Sequence, residues 1–511
     1  MVKRGFKKHS AFLLVSVLTL MWAGPLLAAE LDSVPIGNDA YRVVTYELPP
    51  GLDLEASGLA VLPDGKLAIG LRKGEIWILD HPSAEPPTPG NVGYHQFASG
   101  LHELLGLAWR DGALYATQRS EVTRLRDTDG DGVADEYLTA ASGWGVSGSY
   151  HEYAYGPAFD PAGNLYTTLN SSIGPKWKGA GQEALDTKWR GWCMQTTPNG
   201  ETRPFAAGFR SPCGIANNSV GDVFVSDQQG TWLGTNPIHH VRKGAFFGHA
   251  ESLVWAKDAT SPVVHPGKIT EGITVAEAVR MVPGYTPPAI WLPYVKMGQS
   301  PTGLRFDETG GRFGPFEGQM FVGEFVYSGV NRVFLEKVGG EYQGACFPFL
   351  KELQSAVLSV NFLSDGSLVL GQSNRGWNSF GNRSFGLQRV VWTGRTPFEV
   401  GKMELLENGF RFTFTEPLAA DFEVNPAAFA GQSYTYLYHS KYGSPEVEGE
   451  PLAFESAQVA PDRRSISVRC NRLREGFVHE VFLPDFRSVS GQPLAHRDAY
   501  YTLNHKVPPE K

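Results

Sequence analysis

The sequence predicts an all-β chain, a six-bladed β-propeller followed by a small β-sandwich. Three observations predict it. Glycine (59 residues) and proline (35) are abundant and aperiodic in a 511-residue chain that is 42% hydrophobic, a profile of many turns around large cores. One unit recurs six times: a small residue, a short apolar strand, a turn and a second apolar strand. From Thr396 onward that grammar gives way to longer alternating strands.

Residues 1–29 read as a signal peptide. Lys3, Arg4, Lys7 and Lys8 precede the apolar run "AFLLVSVLTLMWAG", and "PLLAAE" offers small residues for cleavage after Ala28 or Ala29. Gly24 and Pro25 interrupt a run that is already short for a span, and no other segment could cross a bilayer. The expectation is a periplasmic or secreted protein with no stable membrane span in the mature chain. Cleavage removes four positive charges and no negative one, taking the net charge from -8 to -12. An acidic chain without a basic run argues against a nucleic-acid partner.

Residues 40–395 are assigned to the propeller. The six units are "SGLAVLPDGKLAIG" from Ser57, "LGLAWRDGALYATQ" from Leu105, "YGPAFDPAGNLYTTLN" from Tyr155, "PCGIANNSVGDVFVSD" from Pro212, "TGLRFDETGGRFGPFEGQMFVGEF" from Thr302 and "SVNFLSDGSLVLGQ" from Ser359. Further strand-like stretches follow most of them, such as "GEIWILD" and "NRVFLEKV", giving four strands per unit. Residues 249–300 read as an insertion between blades four and five, with one short helix at "TVAEAVRMV". It is either a lid or binding loop, or a surface flap.

Residues 396–506 alternate as strands of an antiparallel sandwich, in "GFRFTFTEPL", "SYTYLYHSKYGSPEVE", "SISVRCNRL", "HEVFLPDF" and "AYYTLNHKVP". "FTFTEPLAADF" resembles bacterial immunoglobulin-like modules. No catalytic constellation is visible there, so a stabilising, spacing or docking role is expected.

Antiparallel strands reverse direction, so residues just before each first strand and just after each second strand meet at one mouth of the channel. Before first strands stand Glu55, His102, Glu103, His151, Arg210, Lys296, Gln299 and Gln354. After second strands stand Arg72, Lys73, Gln118, Arg119, Asn170, Asp227, Gln228, Glu324, Gln372, Asn374 and Arg375. Several cations, one well-placed imidazole and many amides suit a polyanionic ligand with hydrogen-bonding edges.

A second candidate site is "DTDGDGVADE". Asp127, Asp129, Asp131 and Asp135 occupy positions 1, 3, 5 and 9 of a calcium loop, with Gly132 at the sharp turn. Leu138 replaces the bidentate Glu of a full EF-hand, so the expectation is a structural calcium on a hairpin loop, against the bland reading of a solvated acidic turn. Of the four cysteines, Cys193 and Cys213 are candidate disulfide partners in an oxidising compartment, and Cys346 and Cys470 read as buried thiols. None forms the C-x-x-C-H of a c-type haem or has zinc spacing.

"HEYAYGPAFDPAGNLYTTLN", "GFRSPCGIANNSVGDVFVSDQQG" and "VRKGAFFGH" resemble, in order, consecutive signatures of the soluble quinoprotein glucose/sorbosone dehydrogenase family, which includes the aldose sugar dehydrogenases. "ELLGLAW" and "SPTGLRF" fit the same series, so the likeness covers most of residues 58–393. It implies pyrroloquinoline quinone (PQQ) in the channel mouth, His151 as base on a sugar hydroxyl, and Arg210 as the guanidinium that contacts the cofactor. It also implies that Gln229 and Gly230 supply backbone carbonyls to a cofactor-bound calcium. The chain departs from the pattern in three places. "RSPCG" stands for R-N-P-Q-G, Thr231 replaces a proline, and Tyr327 and Ser328 stand where blade five would supply cations. Gln118, Arg119, Asp227, Gln228, Lys296 and Arg375 are the further candidates for cofactor contact.

The leading expectation is therefore an exported sugar or polyol dehydrogenase that passes electrons to a separate cytochrome or quinone acceptor. One alternative is a metal-dependent, lactonase-type hydrolase using Glu55, Glu103, Asn170 and Asp227. Another is a non-catalytic glycan-binding or scaffold propeller. Serine hydrolase chemistry is not expected, because no G-x-S-x-G elbow is present.

Overall fold

The computed structural model describes residues 39–172 and 187–508; the expected signal peptide lies outside them. Six antiparallel four-strand blades follow one another along the chain, five as separate four-stranded sheets and the fifth blade as the first four strands of an eight-stranded sheet. Their innermost strands are Ala56–Val61, Leu107–Arg110, Ala154–Phe159, Gly214–Asn217, Pro301–Phe306 and Val357–Phe362. Each lies beside the innermost strand of the next blade, and the sixth returns to the first. These strands begin within two residues of the six repeat units, so the predicted six-bladed propeller is the fold.

Small residues at the axis make the ring possible. A Cβ on Gly106 would sit 1.7 Å from the Gly156 carbonyl oxygen, and one on Gly214 would sit 2.2 Å from that of Thr302. Between the strands runs a central cavity of about 340 Å³ lined by all six blades. The ring is locked by the N-terminal strand Tyr41–Thr45, which pairs with Phe385–Trp392 (Tyr41 opposite Trp392, Thr45 opposite Gln388) as the outermost strand of blade six. Buried Arg389 adds a second clasp, pairing with Asp365 of blade six at 2.8 Å and with Glu85 of blade one at 2.5 Å.

The segment 249–300 departs from expectation. It lies inside blade four, because Ile290–Leu292 pairs with Asn236–Val241 and forms that blade's fourth strand. The short helix is present as Val275–Met281. Thr274 caps it, its hydroxyl accepting from the Glu277 N–H while the Glu277 carboxylate accepts from the Thr274 N–H.

Beyond Thr396 the chain forms a four-stranded sheet in the order Val400–Leu406, Gly409–Phe414, Ser465–Cys470 and Phe454–Val459. Its remaining long strands extend blade five outward, from Glu341–Leu350 through Asp498–Leu503, Phe477–Phe482 and Ala430–Thr435 to Val447–Pro451. Phe410, Phe412, Val481 and Tyr501 share one core between the two sheets. Arg332 joins blade five to this segment. Its guanidinium lies between Phe316 (4.1 Å) and Phe347 (4.4 Å) and donates to the carbonyls of Val400 (2.6 Å) and Gly401 (3.1 Å). Among the described residues no helix is long and apolar enough to cross a membrane.

Candidate functional site

His151 enters blade three on a loop that is tied down from inside. The buried Glu152 carboxylate accepts from the Ser147 N–H, the Ser147 hydroxyl (2.8 Å) and the Ser172 hydroxyl (2.7 Å). Buried Arg190 donates to the carbonyls of Gly145 and Tyr153, both at 2.8 Å. His151 itself is half-buried, with the Tyr150 ring edge-on at 5.2 Å. Burial first, and the positive field of Arg210 second, lower its pKa to about 4, so the imidazole is neutral across the physiological range.

Arg210 is set by its backbone. The carboxylate of fully buried Asp227 accepts from the N–H groups of Arg210 (2.8 Å), Ser211 (2.7 Å) and Gln228 (2.7 Å). Burial raises the Asp227 pKa to about 6 against the pull of those hydrogen bonds. This resolves the odd entry and exit of the fourth unit: the Asp after its second strand pins the Arg before its first. The Arg210 side chain lies on Gly230, where a Cβ would stand 2.3 Å from Nε, and its guanidinium faces the Tyr442 ring at 5.4 Å.

Arg72 and Arg119 complete the cluster. Both pair with Glu103, at 3.3 and 3.1 Å, and both guanidiniums lie 5.4 Å from the Tyr153 ring. Arg72 also donates to the Tyr153 hydroxyl at 2.7 Å. Arg72 and Arg119 thus share the single carboxylate of Glu103, while Arg210 is held through its backbone by Asp227. Beside them the buried Asn170 Oδ1 has no partner among the described residues.

Other candidates are committed elsewhere. Lys296 turns away from the mouth to pair with Glu480 (2.6 Å) and Glu446 (2.8 Å) of the C-terminal segment. Arg375 makes a two-pronged pair with Glu55 at 2.8 and 3.0 Å. The buried Gln118 amide holds its own blade, accepting from the His102 N–H and donating to Thr123 at 2.6 Å. Gln229 donates to the Gly234 carbonyl at 3.0 Å, while Gln228 stays half-buried nearby. The Gly230 carbonyl accepts from the Gly443 N–H at 2.9 Å. The carboxylates proposed for a lactonase-type metal centre, Glu55, Glu103 and Asp227, are all tied to guanidinium or backbone N–H groups, which disfavours that reading.

The disulfide is corrected. All four cysteines are free and buried. Cys193 lies on the third strand of blade three, its thiol directed at the Met194 carbonyl (3.8 Å), whereas Cys213 precedes the innermost strand of blade four and contacts Tyr155. Burial raises the Cys213 thiol pKa to about 12.

The acidic loop is the turn between the strands Val122–Arg126 and Glu136–Ala141. Strand alternation puts it on the face opposite the mouth. Asp127, Asp129 and Asp135 bring one oxygen each within 4.8 Å of the others. Asp131 stands outside that group, accepting from the Val133 N–H at 2.8 Å.

Two kinds of residue escaped the sequence reading. His249, next to Arg210, ends the quoted "VRKGAFFGH"; burial lowers its pKa to about 3, and its Nε2 faces the Thr231 hydroxyl at 3.2 Å. The aromatic residues around the mouth, Tyr327 apart, lie outside the pattern of charged and amide side chains at the strand ends. Tyr150 is adjacent to His151 in the chain and Trp377 is two residues from Arg375, so proximity was the available signal. Tyr442 carried no such signal, since it arrives from the C-terminal segment on a loop where Gly443 N–H meets Gly230 and Ser444 N–H donates to Gly234, both at 2.9 Å.

Residues 94–345 match a protein family described as a domain of unknown function, DUF7133, from the outermost strand of blade one into that of blade five. A comparison with curated proteins finds no match. Among solved structures the chain is similar to a PQQ-bound aldose sugar dehydrogenase from Streptomyces coelicolor, at 17% identity and a TM-score of 0.48, covering 69% of this chain and 98% of that one. It is also similar to the apo-form soluble aldose sugar dehydrogenase from Escherichia coli (16% identity, TM-score 0.45, 69% and 99% covered). A carbohydrate-active enzyme of family AA12 from Trichoderma reesei is a third (12% identity, TM-score 0.49, 71% and 98% covered). These likenesses concern the fold.

Proposed function

We propose that this chain is an exported oxidoreductase that dehydrogenates a sugar or polyol hydroxyl in the propeller mouth. What carries this reading is a half-buried His151 imidazole, kept neutral by burial, that lies within electrostatic reach of the Arg210 guanidinium. A neutral ring nitrogen can accept the hydroxyl proton as the carbon gives up its hydrogen with the bonding electron pair. The lowered pKa makes His151 a weak base that is always ready. Its strength rises during reaction if negative charge develops nearby, because that charge favours the imidazolium. Arg210, fixed through Asp227 and Gly230, holds a developing oxyanion without having to reorganise.

The donor set fits a polycarboxylate quinone such as PQQ. Arg210, Arg72 and Arg119 would hold its carboxylates and carbonyls, and the Asn170 Oδ1, whose Nδ2 already donates to Ser211, would accept from a donor on its edge. When bound, such a group supplies a two-electron hydride acceptor. Of the cations expected there, Arg119 keeps that part, and Arg72 would join it where Lys296 and Arg375 pair elsewhere. With no haem attachment motif in the chain, electrons then pass to a separate cytochrome or quinone acceptor. Calcium at Asp127, Asp129 and Asp135 would brace the far face of blade two, a structural role.

The test is reconstitution with calcium and PQQ, followed by dye reduction over a sugar and polyol panel. Turnover that falls at least ~100-fold in His151→Ala, with quinone binding retained, is the expected outcome. Quinone-free activity, or full activity in the variant, would overturn it.

A further inference from the structure

Six aromatic rings stand on the loops around the mouth, and the proposed chemistry uses none of them. Tyr150 stands edge-on to His151, and a Cβ on Gly376 would lie 2.8 Å from its hydroxyl, which brings Tyr150 against the blade-six loop that carries Trp377. On that loop Phe380 stacks on Tyr327 of blade five, centroids 5.3 Å apart and planes 26° apart. The Tyr327 hydroxyl accepts from the Gln299 amide at 3.5 Å, and that amide accepts from the Tyr294 hydroxyl at 3.1 Å. Tyr294 lies within electrostatic range of Tyr442, whose ring covers the Arg210 guanidinium.

Four of these rings face solvent: Tyr150 is 55% exposed, Trp377 66%, Phe380 73% and Tyr442 60%. Outside the rim, the only large aromatics so exposed among the described residues are Tyr137 and Phe482. An apolar protein partner would be met by a continuous greasy patch. Here the rings alternate with polar groups: Tyr150 stands near Arg72, Tyr294 and Tyr327 hydrogen-bond the Gln299 amide, and Tyr442 lies over the Arg210 guanidinium. Sugars have that alternation, since pyranose faces present C–H groups while their edges present hydroxyls. Rigid aromatic rings offer such faces a large contact at small entropic cost. A monosaccharide lying between His151 and Arg210 could touch only the inner rings. Rings spread over blades three and six and the C-terminal loop suit a longer ligand.

We propose that the mouth receives the end of a glycan chain, an oligosaccharide or polysaccharide, whose further units rest on Tyr150, Trp377, Phe380 and Tyr442. The C-terminal segment is then part of the binding site, because it delivers Tyr442. This inference rests on the proposed carbohydrate reading and narrows its substrate to a chain.

The experiment is titration calorimetry of the full-length protein, without added cofactor, against gluco-, xylo-, manno- and galacto-oligosaccharides and oligouronides of one to six units. In at least one series affinity is expected to rise about tenfold or more from one unit to four. Trp377→Ala and Phe380→Ala should each weaken the four-unit ligand about five- to tenfold, the scale of one aromatic contact, and leave the one-unit ligand unchanged. Tyr137→Ala, a control on the outermost strand of blade two, should change neither. Length-independent binding or no binding in every series, or rim variants that bind the longer chains like the parent, would overturn the proposal. Chain binding without oxidation of any sugar would sink the dehydrogenase reading alone, while oxidation of monosaccharides with a KM indifferent to chain length and to the rim variants would sink this one alone.

Discussion

Replacing His239 with Phe should remove a defined share of the protein's sensitivity to acid. His239 lies on the third strand of blade four between Phe209 and Phe247, ring centroids 5.6 and 4.5 Å away, and neither ring nitrogen has a hydrogen-bond partner among the described residues. Burial alone lowers its pKa from 6.5 to about 3. The unfolded chain therefore binds a proton at this site below pH 6.5 that the folded chain refuses until near pH 3. A depressed histidine favours the fold least at low pH: the folded state keeps full stability above about 6.5 and loses it progressively as pH falls towards the native value. Between pH 7 and pH 4.5 this one group costs about 2.5 kcal/mol, from ~1.36 kcal/mol per pH unit over the two units below 6.5. The figure holds because pH 4.5 is still above the native pKa. His239→Phe keeps an apolar ring between Phe209 and Phe247, and any overpacking penalty is the same at both pH values, so the difference cancels it. Urea unfolding of parent and variant at pH 7.0 and 4.5 is the assay. The loss of stability on acidification should shrink by about 2.5 kcal/mol in the variant. An identical loss in both proteins would refute the reasoning, since it would mean the buried ring is protonated in the folded state.

Calcium at about 1 mM should raise the thermal midpoint by ~2–4 °C relative to a chelator-treated sample, and Asp127→Asn should abolish the rise; a parent indifferent to calcium would leave the loop a solvated turn. Arg332→Ala should destabilise the protein by about 3–5 kcal/mol in urea titrations, because it takes the guanidinium from the Val400 carbonyl and the buried Gln319 Oε1 and empties the space between Phe316 and Phe347; a loss below ~1 kcal/mol would contradict that account.

Much of the propeller was legible because each innermost strand is apolar, small at the axis and followed by a marked turn, a signal confined to about fourteen residues. Two parts were not. The closing strand Tyr41–Thr45 pairs with a partner more than 340 residues later, a relation no local pattern encodes. Blade four's last strand is the three-residue "IWL", too short to show alternation, so the blade seemed to end early and its long excursion seemed to lie between blades. In the site, strand direction places the chain ends on one face, because antiparallel geometry fixes which ends share it. It could not say where long side chains then turn. Lys296 finds two carboxylates in the C-terminal segment, Gln118 and Gln229 serve their own loops, and Arg375 is held by Glu55. Rotamer and partner decide those outcomes, and both depend on packing that sequence spacing does not record.

The junction of Tyr41–Thr45 with Phe385–Trp392 also dictates an order of events. A polypeptide made from its N-terminus presents the first half of that seam at once and the second only after five blades' worth of chain has followed. Until then blade six lacks its outer ladder and the circle is an open arc with two raw margins, the kind of edge that recruits stray strands. A chain threaded across a membrane while unfolded would meet this interval on the far side, where the waiting margin must be shielded until the final turn of the wheel arrives. Removing Tyr41–Thr45 would leave Phe385–Trp392 as a lasting raw margin.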